Sequence, residues 1–114
     1  MRGQEYKVLG MMSGTSLDGV DLAGCHFELN KGNWFFRIEA AGTVPYNNHW
    51  KNRLAGAHLL SGQELLHLDI EYGNYLGGLA RDFCKKGSLD PGFIASHGHT
   101  VFHQPEKGIT LQVG

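Results

Sequence analysis

The sequence has no basic run. Lys85-Lys86 is its one adjacent pair of cations, and the formal net charge is −1. Without a basic stripe there is no electrostatic footprint for nucleic acid. Cysteine is scarce: Cys25 and Cys84 stand far apart and fit no metal-ligand spacing. Two distant cysteines suit small core residues in a reducing compartment better than a disulfide framework. The N-terminus, Met1-Arg2-Gly3-Gln4-Glu5, lacks the apolar core of a signal segment, and no apolar run approaches a membrane span. These absences predict a cytoplasmic protein with no membrane partner and no nucleic-acid partner. Internal repeats and low-complexity tracts are also missing. With 114 residues the chain is one domain or part of one, able to bury roughly two-thirds of its unfolded surface.

What is present is glycine, 17 residues of it, separated by apolar runs, which means tight turns rather than disorder. The chain is organised around one such place, Gly10-Met11-Met12-Ser13-Gly14-Thr15-Ser16-Leu17-Asp18-Gly19-Val20-Asp21. Apolar runs flank it. Tyr6–Met12 reads as a buried strand and Val20–Leu29 as an imperfectly alternating one, with Val20, Leu22, Gly24 and His26 on one face. Asn30-Lys31-Gly32-Asn33 is a hairpin turn by composition, and Trp34–Ala41 a third strand. Three strands joined by short loops form an antiparallel meander. Gly42–Pro45 is expected to end it, because proline cannot continue a central ladder.

Helices follow. Asn47–His58 reads as a short helix carrying Trp50 and Leu54. Ser61 and Glu64 make an S-x-x-E capping box ahead of a longer one, Gln63–Lys86. Its apolar stripe is Leu65, Leu68, Tyr72, Leu76, Leu79 and Phe83. Lys85 and Lys86 suit the negative end of the helix dipole, and Gly87 is the natural residue just past it. After the turn Ser88–Gly92, Phe93–Ser96 reads as a short buried strand in a β-α-β arrangement. The polar segment His97-Gly98-His99-Thr100 emerges from its end, where it can face the opening loop. Val101–Pro105 is irregular or strand-like, Glu106-Lys107-Gly108 turns the chain, and Ile109–Val113 is a last strand. The sequence stops one residue later, at Gly114, with no tail, which predicts a chain cut from a longer one.

The opening loop has the chemistry of a phosphate site. Glycine allows close backbone approach, and Thr15 and Ser16, between Gly14 and Gly19, offer hydroxyl and amide donors. It matches neither G-x-x-x-x-G-K-[ST] nor G-x-G-x-x-G. Asp18 and Asp21 repel phosphate and make better sense holding Mg²⁺-bound water or a sugar hydroxyl. A plain hairpin turn uses the same residue types, so composition leaves both readings open. His97, His99 and His103 share parity in an extended chain and can converge on a metal, but Gly98 and Pro105 interrupt such a strand and no supporting carboxylate is evident. No direct metal ligand is assigned.

The exact strings go further. Met12-Ser13-Gly14-Thr15-Ser16-Leu17-Asp18-Gly19-Val20-Asp21 closely resembles the N-terminal signature of the anhydro-N-acetylmuramic acid kinases. Ser96-His97-Gly98-His99-Thr100-Val101-Phe102-His103-Gln104-Pro105 resembles that family's S-H-G-Q-T-V-x-H-x-P, and Leu111-Gln112-Val113-Gly114 its L-Q-x-G. The three stand in the family's order, with the capped helix between the first two, so the resemblance spans essentially the whole chain. It implies an α/β, ribonuclease H-like (actin-like ATPase) fold. Residues 1–114 would be the N-terminal part of the first such domain: a mixed sheet opened by an antiparallel β-meander, with one long packed helix and the second domain absent.

The activity implied is that of a sugar kinase of peptidoglycan recycling. With ATP and Mg²⁺ such an enzyme opens the 1,6-anhydro ring with water and phosphorylates O6. By resemblance, Gly14, Thr15, Ser16, Leu17, Asp18, Gly19, Val20 and Asp21 bind the nucleotide phosphates, and Ser13, His97, Gly98 and Thr100 face the amino sugar. His99 departs from the pattern, standing where the family more often has Gln; both hydrogen-bond, but His also carries charge near neutral pH. The family's general base belongs to a D-T-G-P-G-N segment that is not among these residues, so the 114 residues alone are expected to be inactive. The alternatives are a non-catalytic sugar- or anion-binding module and a metal-binding or hydrolase domain built on the late histidines. Pairing into a homodimer through exposed strand edges also stays open.

Overall fold

A computed structural model describes residues 3–14 and 16–114. Thr15, one of the residues expected to bind phosphate, lies outside the described residues.

Three strands open the chain: β1 (Gln4–Ser13), β2 (Gly19–Asn30) and β3 (Asn33–Pro45). β1 pairs antiparallel with β2, and β2 with β3, as expected of a meander. The turn between β2 and β3 is the two-residue type that the right-handed strand twist favours, with Lys31 at φ 53° and Gly32 at φ 78°. Helix α1 (Asn48–Ala55) follows, capped by the Asn47 side chain, which accepts from the Trp50 amide at 2.9 Å. A 3₁₀ turn at Ala57–Leu59 leads to α2 (Gly62–Gly87). Both bonds of the predicted capping box at its start are present.

From α2 the chain returns as β4 (Phe93–Ser96), parallel to β1, giving the sheet order β3-β2-β1-β4. This is an α/β chain with a mixed sheet and one long helix. β5 (His99–Gln104) and β6 (Ile109–Val113) make a separate two-stranded antiparallel ladder.

The core forms where α2 crosses one sheet face. Leu68, Tyr72, Leu76 and Ala80 recur every fourth residue along the helix and are all buried. They share a core with Leu9, Met11, Val20 and Leu22 of the sheet, Tyr46, Trp50 and Leu54 around α1, and Val113 of β6. Fully burying one such aliphatic side chain contributes about 1.5–3 kcal/mol. Leu65, Leu79 and Phe83, expected on the same stripe, pack at its margin. The other sheet face is open: Trp34, Phe36 and Phe93 are 59%, 70% and 52% exposed.

Three expectations need correction. β3 does not end at Gly42 but continues to Pro45, which pairs with Gly19. β3 is an edge strand, where a missing N–H can face outward at no cost in ladder bonds. The strand Phe93–Ser96 exists but is exposed along its whole length, being the other edge of the sheet. At the end of α2 the left-handed residue is Ser88 (φ 52°, ψ 41°) rather than Gly87, which remains helical. The Ser88 and Leu89 amides return to the Lys85 and Cys84 carbonyls and satisfy that end. The two cysteines are free and half-buried.

Candidate functional site

β1 and β2 are registered so that Ser13 pairs with Val20, which leaves residues 14–18 as the connection between them. Gly14, Ser16 and Asp18 are exposed there, and a Cβ on Gly14 would meet nothing nearer than Ser16 Oγ at 3.6 Å. The backbone at this point is open to a ligand. Leu17 is neither: it is half-buried against the core with φ at 61°, a left-handed conformation costly for a bulky side chain. Gly19 serves packing, since a Cβ there would lie 2.3 Å from the Val44 carbonyl oxygen. Val20 is fully buried in the core, so only its backbone is available to a phosphate.

The two carboxylates of the loop differ. Asp18 is exposed, and its backbone carbonyl accepts from the Tyr46 amide at 3.0 Å. Asp21 lies on the open sheet face, paired across to Thr43, whose hydroxyl donates to Oδ1 at 2.5 Å.

The second polar segment meets the loop. The buried Ser13 hydroxyl donates to the Gly98 carbonyl at 2.7 Å, across 85 residues of sequence. His97 Nδ1 lies 2.7 Å from the same carbonyl and bonds to it when Nδ1 carries the proton. Gly98 is irreplaceable on two counts: φ is +73°, and a Cβ would fall 2.3 Å from the Val113 carbonyl oxygen. Thr100 is half-buried, and its hydroxyl accepts from Gln112 Nε2 at 3.2 Å across the β5–β6 ladder. The structure therefore brings Ser13, His97 and Gly98 together, while Thr100 is engaged with the last strand.

His99 is buried, and its Nδ1 has no hydrogen-bond partner among the described residues. Burial holds its pKa below the ordinary 6.5, so the imidazole is neutral at pH 7. With Leu17, Leu54, Ala55, His58, Thr100 and Val101 it lines a cleft of about 180 Å³, so both motif segments reach one concavity. His103 turns away to Thr110, at 3.2 Å. Among the described residues, no three His, Cys, Asp or Glu side chains converge as metal ligands.

Sequence reasoning missed Tyr46. It is buried, its hydroxyl bonds to that of the fully buried Tyr72, and Trp50 and Tyr75 complete the aromatic cluster. Burial, followed by the Tyr72 bond, holds the Tyr46 phenol well above its ordinary pKa, with the neighbouring Ser13 hydroxyl pulling the other way. The one signal available in sequence was its place directly after Pro45, at the end of β3.

Comparison with known proteins gives a consistent picture. A family model described as anhydro-N-acetylmuramic acid kinase matches residues 6–114. A relative from Bacillus cereus (strain G9842) bearing that name is 32% identical over 120 residues, covering 94% of this chain and 31% of its own length. Its namesake from Acaryochloris marina is 34% identical over 113 residues, with 94% and 30% covered. Another from Hydrogenovibrio crunogenus is 35% identical over 112 residues, with 93% and 30% covered. The chain spans about three-tenths of the length of the curated relatives it matches. Among the described residues, no helix is long and apolar enough to cross a membrane.

Proposed function

This chain belongs to the anhydro-N-acetylmuramic acid kinase family, and on that premise we propose that it forms the phosphate-binding side of a sugar kinase. The substrate is anhydro-N-acetylmuramic acid, whose 1,6-anhydro ring is opened by water and whose O6 is phosphorylated, a step of peptidoglycan recycling in the cytoplasm. ATP with Mg²⁺ supplies the transferred phosphoryl group. The observation that carries this reading is the Ser13–Gly98 hydrogen bond, which ties the two signature segments into one site. The sheet order β3-β2-β1-β4, with β4 parallel to β1, supports the ribonuclease H-like assignment and reads residues 1–114 as part of its first domain.

In this reading each residue has a bounded task. The exposed backbone at Gly14 and Ser16 donates to phosphate oxygens. Asp18 and Asp21 hold water of the Mg²⁺ shell rather than phosphate itself, since a carboxylate and a phosphate repel. Ser13, His97 and Gly98 form the wall facing the sugar. Phosphoryl transfer depends on positioning and charge neutralisation, and positioning needs both sides of a cleft. The general base that the resemblance assigns is not among these 114 residues, so they carry no kinase activity by themselves.

Calorimetry of this chain with Mg·ATP and with the anhydro sugar tests the proposal. Saturable Mg·ATP binding that Asp18→Asn weakens is expected. Sugar binding with no nucleotide binding would instead favour a sugar-binding module, and ATP- and sugar-dependent phosphorylation by these residues would refute their inactivity.

A further inference from the structure

The strand register sorts the residues of the sheet by face, because cross-strand partners share one. Of the charged residues in β1–β3, Glu5, Lys7, Glu28, Arg37 and Glu39 fall on the helix side, and Asp21 alone shares the open face, at its loop end. An antiparallel sheet with one face in water places its polar residues on that face. Here the pattern is inverted. The open face carries Tyr6, Met12, Trp34, Phe36, Ile38 and Phe93, each more than a third exposed. This is the alternation of a sheet covered on both sides. With roughly 150–250 Å² available per large side chain, the six leave on the order of 600 Å² of apolar surface bare, at the upper end for the largest patch on a monomer.

The face also has relief. Tyr6, Phe27 and Phe36 stand in register as an aromatic ridge across three strands, extended by Trp34, whose ring lies 6.0 Å from that of Tyr6. Two rows further along, Ala41, Ala23, Gly10 and Ala95 are in register across all four strands, and this low row floors a hollow of about 630 Å³. Ile38, Cys25, Val8 and Phe93 make the row between them. Ridge and hollow therefore run side by side. A two-fold axis along the middle row lays the ridge of each copy over the hollow of the other.

We propose that this chain dimerises in solution through its open sheet face, the aromatic ridge of one copy seated in the low row of its partner. Three observations select a second copy as the occupant. The relief is self-complementary, as an isologous contact requires. Two copies face to face bury about 1,200 Å² in total, the lower limit of a specific interface. No like charges oppose each other across the patch, since its one carboxylate, Asp21, lies at the rim and is bonded to Thr43. The pairing uses residues outside the loop 14–18, so the inference does not rest on the phosphate reading.

Sedimentation velocity of this chain, from low micromolar to submillimolar concentration, tests the proposal. A reversible species of twice the mass of one chain is expected. Phe36→Asp puts a charge on the ridge and should weaken the dimer roughly 30-fold or more, as for a central interface residue. Phe35→Asp is the control: Phe35 is 55% exposed on the same strand, but it pairs with Glu28 on the helix side, and its substitution should leave the dimer unchanged. Far-UV circular dichroism checks the fold of each variant. If Phe36→Asp does not fold, Trp34→Lys at the end of the ridge carries the test with the same expectation. A chain that stays monomeric throughout overturns the proposal and leaves the face to a different occupant, such as a segment of a longer polypeptide. A dimer that Phe35→Asp weakens equally, or that the ridge substitution leaves intact, pairs by an exposed strand edge instead and overturns it too.

Discussion

The β1–β2 and β2–β3 connections join consecutive strands of one meander and draw on the same residue types, yet they are built differently. The second is closed by its own geometry. Lys31 and Gly32 are exposed, both have positive φ, and a Cβ on Gly32 would meet nothing within 4 Å. The first is closed from outside. Ser13 is tied to Gly98, Asp18 to Tyr46, and the strain sits on a packed leucine rather than on a glycine. A turn that serves only to reverse the chain needs no support from elsewhere. A connection held by three separate parts of the fold has a conformation to keep.

That contrast can be broken or sharpened experimentally. The largest effect is expected from Tyr72→Ala, which empties a fully buried site in the core and removes the hydroxyl partner of Tyr46. A loss of roughly 3–5 kcal/mol in urea-unfolding stability is predicted. In native-state exchange the β1–β2 loop should lose protection before the Lys31–Gly32 turn does; the reverse order would show that the loop does not depend on α2.

Next comes a pair of glycine substitutions. Gly98→Ala combines a left-handed backbone with contact against the Val113 carbonyl and should cost roughly 2–4 kcal/mol. Gly32→Ala has only the backbone term and should cost about 1 kcal/mol. Equal costs in urea melts would erase the distinction between a site held by tertiary contact and a free turn.

His99 gives a pH test. Its folded pKa lies below 6.5 because burial disfavours the charged ring. Below pH 6.5 the unfolded chain therefore takes up a proton that the folded chain declines, and stability falls with pH from there down to the folded pKa. Above that window His99 contributes no slope. His99→Gln should flatten the dependence below about pH 6.5 in pH-resolved urea melts; an unchanged slope would place the titration elsewhere. The smallest effect belongs to the turn. Lys31→Asn, with a residue better suited to positive φ, should stabilise the fold by about 0.5 kcal/mol and leave the loop untouched, as judged by thermal melts and loop exchange.

Much of this architecture was legible in the sequence because it is encoded locally. The alternation of Val20, Leu22 and His26, the Asn30–Asn33 turn, the Ser61–Glu64 box and the four-residue spacing of Leu68, Tyr72 and Leu76 each act within a few residues. What escaped was set by distant contacts. Whether Pro45 could remain in a strand depended on β3 being an edge, and whether Phe93 was buried depended on what lies beside β4. The Ser13, His97 and Gly98 cluster was legible through the motif strings, although Thr100 proved to be paired with Gln112. Tyr46 was illegible because its place arises from two separate contacts, Asp18 at its amide and Tyr72 at its hydroxyl. Neither is a neighbour in sequence.

We propose that the β1–β2 connection binds phosphate, whereas the β2–β3 connection only turns the chain. Titrating the ¹⁵N-labelled chain with Mg·ATP and following the backbone amides tests it directly. The account predicts saturable shifts at Gly14, Ser16 and Gly19, with Lys31 and Gly32 unmoved. Absent shifts at the loop, or comparable ones at both connections, would contradict it.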